Sequence, residues 1–286
     1  MHIRNSVVAL AAAITLTMAG CASGGTETPA GSASEAASAP ADVVKIKVGA
    51  SPVPHAQILQ YVQDNLAKDA GLDIEIVEFQ DYVLPNTALD EKEIDANYFQ
   101  HKPYLEAQIA EFGYKFTATA GVHIEPLGIY SSKVKTIAET PDGGKVGITN
   151  DPSNQGRGLQ LLAANGLITL KDTGDKDPTT LDIDKNDKNL EFVELPAEQL
   201  ARSLEDVDLA VINGNYALEA DLKPSEDALA LESGVDNPYT NYLVVRTEDE
   251  SRPELVKLGE LLTSKEVYEF IKTTWPDGEV IPAFEG

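Results

Sequence analysis

The chain has 286 residues, which is enough for two domains of modest size. Its 47 acidic residues outnumber its 22 basic residues, so the formal net charge is -25. Because binding to nucleic-acid phosphates requires a basic face, this balance argues against a nucleic-acid partner. The single cysteine, Cys21, excludes an intramolecular disulfide and a cysteine-rich metal site.

The first 20 residues predict a signal peptide. Arg4 supplies a positive charge near the start, and residues 7–18 are apolar apart from two threonines. This apolar stretch is too short to span a bilayer as a helix. We therefore interpret residues 1–20 as a cleaved export signal.

The signal segment ends at Cys21, which directly follows Ala19 and Gly20. This ending resembles a lipobox, in which the cysteine is acylated and becomes the new N-terminus, although Met18 stands where leucine is usual. A chance cysteine after an ordinary cleavage site is the alternative. Residues 21–42 are small, polar and Pro-containing, which predicts a flexible tether. We expect a protein anchored by lipid on the extracytoplasmic side of the cell membrane.

Strand and helix patterns alternate after the tether, which predicts βαβ units, a parallel sheet and the α/β class. Gly71 and Gly113 stand where two of the helices should end. Strands are predicted over residues 44–48, 73–79, 95–99, 145–148, 191–195, 209–212 and 242–246. Helices are predicted over residues 58–66, 86–93, 102–111, 153–166, 198–204, 253–262 and 264–275, with one more from about residue 215.

Two long extended runs, residues 116–131 and 239–246, are candidate crossovers between two α/β lobes. The first lobe would then be discontinuous, formed by residues 43–126 and 243–286, and the second would span residues 127–242. Ligands of such sheets bind at the carboxyl ends of the strands. Two lobes joined by extended hinges can close on a ligand in the cleft between them.

Three histidines follow the signal segment: His55, His101 and His123. Together with a carboxylate such as Glu125 they could bind Zn²⁺. However, the separations of 46 and 22 residues are not the local spacing of a typical metal motif. Histidines that pack, donate hydrogen bonds or line a ligand pocket are the alternatives.

Residues 150–157 connect a predicted strand to a predicted helix, where Asp151 or Ser153 can cap the helix N-terminus. Arg157 is expected in the first helical turn, where a cation needs an anionic partner because of the helix dipole. That partner is either the carboxylate of a ligand or one of the many acidic side chains of the protein.

Two groups after predicted strands have both structural and ligand-binding interpretations. Asn213 and Asn215 flank Gly214 after the strand at 209–212, where they could form a turn or bind a zwitterion. Four aromatic residues could pack in the core or line a pocket: Tyr82, Tyr98, Phe99 and Tyr104. The sequence contains no phosphate-loop or serine-hydrolase motif, so nothing in it indicates an enzyme.

Six stretches between residues 46 and 246 are similar to the NlpA lipoprotein family, the methionine-binding lipoproteins of ABC importers. They are VGASPVPHAQIL, EFQDYVLPNTALDEKEIDANYFQHKPYLE, VHIEPLGIYSSK, TNDPSNQGRGLQLL, ELPAEQLARSLEDVDLAVINGNYAL and YTNYLVVR. The resemblance implies a two-lobed periplasmic-binding-protein type II fold with a central cleft. It also implies methionine, in the L or D form, as the ligand, and no cofactor. The implied partners are the membrane permease and ATPase subunits of a methionine ABC importer.

The resemblance also implies roles for seven residues at matching positions. The backbone groups of the amino acid would be bound by Arg157, Asn213 and Asn241, and its side chain by Tyr82, Phe99, His101 and His123.

Four functions remain as alternatives at this point: a metal-binding lipoprotein of an ABC importer, a lipoprotein that binds Met-containing dipeptides, a surface interaction protein, and an enzyme on the same scaffold. Arg157 with Asn213 and Asn241 favours an amino-acid ligand, because a bare metal cation has no use for an arginine.

Overall fold

The computed structural model describes residues 43–174 and 176–286. The predicted signal peptide, the lipidation site at Cys21 and the tether all lie outside the described residues. Within the described ranges, no helix is both long and apolar enough to cross a membrane.

The described chain alternates strands with helices. The strands are β1 Val44–Ala50, β2 Leu72–Glu78, β3 Ala96–His101, β4 Phe116–Ile124, β5 Gly128–Tyr130, β6 Lys145–Thr149, β7 Thr169–Leu170, β8 Ile183–Lys185, β9 Glu191–Leu195, β10 Leu209–Ile212, β11 Ala230–Leu231, β12 Thr240–Arg246 and β13 Ile281–Pro282. The α-helices are α1 Gln57–Val62, α2 Leu84–Asp90, α3 Lys102–Phe112, α4 Pro152–Ala164, α5 Gly214–Glu219, α6 Pro224–Asp227, α7 Pro253–Leu262 and α8 Lys265–Thr274.

The first sheet has six strands in the order β13-β4-β12-β3-β1-β2. β1 pairs in parallel with β2 and β3, as the predicted βαβ unit requires, whereas β12 pairs antiparallel with β3 and β4. Alternate residues of β1, such as Ile46 and Val48, are fully buried and pack with residues of α1, α7 and α8. Burial of this apolar surface is the main source of the first sheet's stability.

The second sheet has five strands in the order β11-β5-β10-β6-β9. β6 pairs in parallel with β9 and β10. Helix α4 covers this sheet by burying Leu159 and Leu162 in the same apolar cluster as Ile148 and Val211. Gly158 is the close-packed point, because a Cβ there would lie 3.1 Å from Val211 Cγ1.

The main chain passes between the two sheets twice. β4 ends at Ile124 in the first sheet and β5 begins at Gly128 in the second, so the extended run predicted over 116–131 contains the first crossover. The second crossover lies between β11 and β12. β12 begins at Thr240, three residues before the boundary predicted at 243. The exact lobe limits remain a prediction.

Glycines also predicted where two helical segments end. Gly71 and Gly113 have φ values of 71° and 76°, the left-handed region that glycine enters without steric cost. Gly113 is the C-cap of α3, as expected. The helix predicted over 198–204 is instead two short 3-10 turns, Ala197–Gln199 and Ala201–Glu205, which follow Pro196.

Candidate ligand-binding site

A small chamber lies where loops and strand ends of both sheets meet. The first sheet contributes residues at the ends of β3, β4 and β12, and the second contributes α4 and the start of α5. This matches the expected place for a ligand, at the carboxyl ends of parallel strands. The lining residues are Tyr82, Phe99, Gln100, His101, Tyr104, Glu125, Asn154, Arg157, Asn213, Gly214, Asn215 and Asn241.

Arg157 is the only cationic side chain of the chamber lining other than histidine. It lies in the second turn of α4 and not in the first, because the helix begins at Pro152. Asp151 caps the helix by accepting a hydrogen bond from the backbone N–H of Asn154 at 2.9 Å. The requirement for a partner therefore comes from burial of the guanidinium, of which only 4% is exposed, and not from the helix dipole.

The anionic partner of Arg157 is Glu232. Nε donates to Glu232 Oε1 at 3.0 Å and Nη2 donates to Oε2 at 2.5 Å, a bidentate pair. Nη2 also donates to the backbone oxygen of Glu125 at 3.0 Å, and the ring of Tyr239 lies 4.0 Å from the guanidinium carbon. Burial opposes the charge on Glu232, but the hydrogen bond and charge of Arg157 hold the pKa of this carboxyl below its usual value.

One nitrogen of the guanidinium, Nη1, takes no part in these contacts. Among the residues that the structure describes, none accepts a hydrogen bond from Arg157 Nη1. The alternative that the partner of Arg157 is an acidic side chain of the protein is correct for Nε and Nη2. A ligand carboxylate could still bind at Nη1.

A chain of hydrogen bonds connects the two sheets across the chamber. Tyr104 N–H donates to His101 Nδ1 at 3.2 Å, so the ring proton is on Nε2, which donates to Asn154 Oδ1 at 3.0 Å. Asn213 Nδ2 donates to the same oxygen at 2.9 Å. These bonds orient Asn213 so that its Oδ1 is a buried acceptor without a partner. Burial, followed by the charge of Arg157, lowers the pKa of His101 to about 3, which keeps the ring neutral.

A second buried group of side chains lies behind the chamber. Tyr98 O–H donates to His123 Nδ1, so the ring proton of His123 is on Nε2, which donates to Glu125 Oε1 at 2.7 Å. His55 Nε2 lies 3.3 Å from the same oxygen and 3.1 Å from Asn241 Oδ1. Burial lowers the pKa of His55 to about 4 and that of His123 to about 3, so both rings are neutral.

One side of the chamber is aromatic. The rings of Tyr82, Phe99 and Tyr104 lie 5.8 to 6.0 Å from one another. Tyr82 O–H donates to Asn215 Oδ1 at 2.5 Å, which connects this aromatic group to the second sheet. Such a surface suits an apolar, polarizable ligand group.

Six of the seven residues expected from the resemblance line the chamber: Tyr82, Phe99, His101, Arg157, Asn213 and Asn241. The seventh, His123, is fully buried and does not line it; it contacts Glu125, which does. Asn241 faces both His101 and His123 in the β12 register.

Sequence reasoning missed two residues that organise the chamber, Asn154 and Glu232. Asn154 was within the quoted stretch TNDPSNQGRGLQLL, but its role depends on contacts with the first sheet. Glu232 is 75 residues from Arg157 and no local pattern identifies it as the partner.

Three side chains could hold a metal ion, because the ligand atoms of His55, His123 and Glu125 lie within 4.8 Å of one another. His101, considered for the same metal site, is not in this group and is bonded to Asn154. Both ring nitrogens of His123 already have partners. Metal binding would therefore require breaking an existing hydrogen bond.

Comparison with known proteins identifies similar chains over most of the described part. A family model described as NlpA lipoprotein matches residues 46–284. The D-methionine-binding lipoprotein MetQ of Escherichia coli (strain K12) is 44% identical over 238 residues, which cover 82% of this chain and 87% of that protein. The methionine-binding lipoprotein MetQ of Bacillus subtilis (strain 168) is 41% identical over 245 residues, covering 84% and 89%.

Comparison with solved structures gives the same result as comparison of the sequences. A nutrient binding protein from Burkholderia cenocepacia, bound to methionine, has a TM-score of 0.80 and 45% identity, covering 84% of this chain and 100% of that one. A lipoprotein from Actinomyces odontolyticus has a TM-score of 0.81 and 49% identity, covering 85% and 100%. The predicted fold, an α/β protein of two lobes like the substrate-binding proteins, is confirmed.

The neutral histidines predict that acid destabilises the fold. With pKa values of about 4, 3 and 3 for His55, His101 and His123 in the folded state, each takes up its proton near pH 6.5 only after unfolding. Their contribution to stability is therefore complete above pH 6.5 and declines as the pH falls toward 4. Replacing His101 by Gln should reduce the slope of unfolding free energy against pH by up to about 1.4 kcal/mol per pH unit.

Urea denaturation at pH 7, 6 and 5 measures this slope. Tyr104→Phe is the control, since it alters the surroundings of His101 without removing a group that titrates in this range. Equal slopes for His101→Gln and the wild type would show that His101 is not held neutral by the fold.

Proposed function

The chain belongs to the NlpA lipoprotein family, and we propose that it binds methionine in the chamber and delivers it to an ABC importer. The family resemblance seen in the sequence is thereby confirmed. This protein would bind methionine and release it chemically unchanged. The membrane permease and ATPase subunits would then transport the methionine.

The observation that best supports an amino-acid ligand is that two polar groups of opposite character, on Arg157 and Asn213, are unused in the chamber. Arg157 Nη1 is a charged donor without a partner among residues 43–174 and 176–286, and Asn213 Oδ1 is a buried acceptor without one. A zwitterion has a carboxylate for the first and an ammonium for the second. A buried acceptor without a partner costs free energy, so a ligand whose ammonium satisfies Asn213 Oδ1 while its carboxylate binds Arg157 Nη1 is favoured.

The aromatic side of the chamber supports methionine as the amino acid. A thioether is polarizable and makes favourable contacts with aromatic rings about 5 Å away. Tyr82, Phe99 and Tyr104 supply three such rings. The relatives from Escherichia coli and Bacillus subtilis are named for methionine binding, and the Burkholderia cenocepacia protein was solved with methionine bound.

The alternatives fit the chamber less well. Its described lining contains no serine, threonine or cysteine that could act as a nucleophile, which speaks against a hydrolase. The group His55, His123 and Glu125 favours a metal lipoprotein, but it leaves Arg157 and Asn213 without a role. A Met-containing dipeptide would have to place its extra residue in the same small chamber.

The proposal includes the anchor. Acylation of Cys21 would fix the N-terminus in the outer leaflet of the cell membrane, and residues 22–42 would let the folded part reach the importer. Two lobes that close on methionine would present the importer with a shape formed only in the bound state.

Replacing Arg157 by Lys tests the carboxylate site. The lysine retains a positive charge for Glu232 but cannot donate in two directions from a planar fork. Loss of one hydrogen bond to a charged group costs about 1.5–3 kcal/mol, so the affinity for L-methionine should fall roughly 10- to 150-fold. Titration calorimetry on protein refolded without ligand measures it, with the wild type expected to bind one methionine per chain.

Arg252→Lys is the matched control, because Arg252 forms ion pairs with Asp95 and Glu254 away from the chamber. A loss of less than threefold in Arg157→Lys, with an unchanged melting temperature, would remove Arg157 from the ligand site. Saturable Zn²⁺ binding, with no heat from methionine, would favour the metal lipoprotein instead.

Cys21→Ser tests the anchor, because serine has no thiol to acylate. We expect the variant to lose the mass of the attached lipid and to appear in the soluble fraction after cell disruption. The wild type should sediment with membranes. A variant that stays in the membrane fraction with its lipid mass intact would contradict lipidation at this position.

A further inference from the structure

Glu125 occupies a position between the two charged parts of the site. It follows the last residue of β4, and its backbone oxygen accepts a hydrogen bond from Arg157 Nη2 at 3.0 Å. Its side chain lines the chamber and is only 6% exposed. It is the single carboxylate among the chamber-lining residues.

The charge of Glu125 has no cationic partner in the described part of the chain. Its Oε1 is 2.7 Å from His123 Nε2 and 3.3 Å from His55 Nε2. No arginine or lysine of residues 43–174 and 176–286 forms an ion pair with it, and the charge of Arg157 is balanced by Glu232. Burial raises the pKa of the Glu125 carboxyl despite His55, the backbone N–H of Asn215 and Arg157, so a cation bound beside it would stabilise the ionised form.

We propose that Glu125 binds the α-ammonium group of the ligand and makes the chamber selective for amino acids whose amino group is free. This inference rests on the proposed function and specifies its substrate class. His123 acts on Glu125 as a positioning residue, since its Nε2–H donates to Oε1 at 2.7 Å. The backbone N–H of Asn215 also donates to the Glu125 carboxylate.

The geometry fits an α-amino acid, whose ammonium and carboxylate are bonded to the same carbon. Arg157 Nη2 donates to the backbone oxygen of Glu125 at 3.0 Å, so the inferred carboxylate and ammonium sites belong to two residues in direct contact. Gly214 gives the carboxylate its space. A Cβ at that position would lie 2.7 Å from Glu125 Cβ and 3.2 Å from Oε2.

The ammonium group has three N–H donors and can use Glu125 and Asn213 Oδ1 together. Asn213 supplies an oriented neutral acceptor, whereas Glu125 supplies the compensating charge. Selectivity follows because an N-acylated amino acid has no ammonium charge. A des-amino acid also leaves Glu125 without a partner, and in a dipeptide the ammonium is displaced from the carboxylate by a whole residue.

The test compares three ligands on three proteins by titration calorimetry after refolding without ligand. The ligands are L-methionine, N-acetyl-L-methionine and 4-(methylthio)butanoate, which is methionine without its amino group. The proteins are the wild type, Glu125→Gln and the control Glu254→Gln. Glu254 is a partly buried acid that pairs with Arg252 and does not line the chamber.

We expect the wild type to bind methionine at least about 30-fold more tightly than either analogue, the lower limit for breaking a buried charged pair. Glu125→Gln should lose about 30-fold or more for methionine, because an amide NH₂ facing an ammonium sets donor against donor. It should lose less than threefold for 4-(methylthio)butanoate. Glu254→Gln should match the wild type. If Glu125 had only a structural role, Glu125→Gln would lower the affinities for methionine and for 4-(methylthio)butanoate equally.

Three results would overturn the inference: equal affinity of the wild type for methionine and N-acetylmethionine, a loss below threefold for methionine in Glu125→Gln, or equal losses for methionine and the des-amino acid. To separate equal losses from misfolding, the melting temperatures of the ligand-free variants are measured as well. Glu125→Asp keeps the charge and should recover part of the affinity. A wild type that binds another free amino acid in a Glu125-dependent way would overturn only methionine as the ligand. No binding of any free amino acid would overturn both proposals.

Discussion

Burial of the Arg157 guanidinium is the constraint on which the arrangement of the site depends. A charged group that is 4% exposed must be paired and fully hydrogen-bonded, or the fold loses several kcal/mol per ion, as roughly estimated for buried charges. Glu232, the backbone oxygen of Glu125 and the face of Tyr239 meet most of this requirement. The residues that provide them come from the second crossover and from the end of β4, so the charge holds both connections between the sheets in place.

The second feature of the site is that hydrogen bonds hold its polar side chains in fixed orientations. Asn154 N–H donates to Asp151, and Asn154 Oδ1 accepts from both His101 and Asn213, so these bonds connect the cap of α4 to strand ends in both sheets. Because Asn213 Nδ2 donates to Asn154, Asn213 presents its free oxygen to the chamber. Neutral histidines are needed for this, since a protonated His101 would place a second positive charge beside Arg157. Polar groups held in this way bind a ligand without first having to reorganise.

Much of the fold could be predicted because its signals are local. The strands at 191–195 and 209–212 and the helix at 253–262 agree with the structure to the residue. The rest depends on contacts between distant parts of the chain. Spacing alone could not pair Arg157 with Glu232, nor place His123 behind the chamber, because each depends on how the two sheets meet. The resemblance to a family supplied the candidate site, and six of its seven residues line one chamber.

The most direct test of the account is native mass spectrometry of the protein purified from cells grown with methionine. A chamber that provides a free arginine nitrogen, an oriented amide oxygen and aromatic rings should retain its ligand through gentle purification. The account predicts a population heavier than the chain by the mass of one methionine, which disappears after unfolding and refolding. Protein of the same preparation that retains a metal ion or a ligand of different mass, and never methionine, would contradict it.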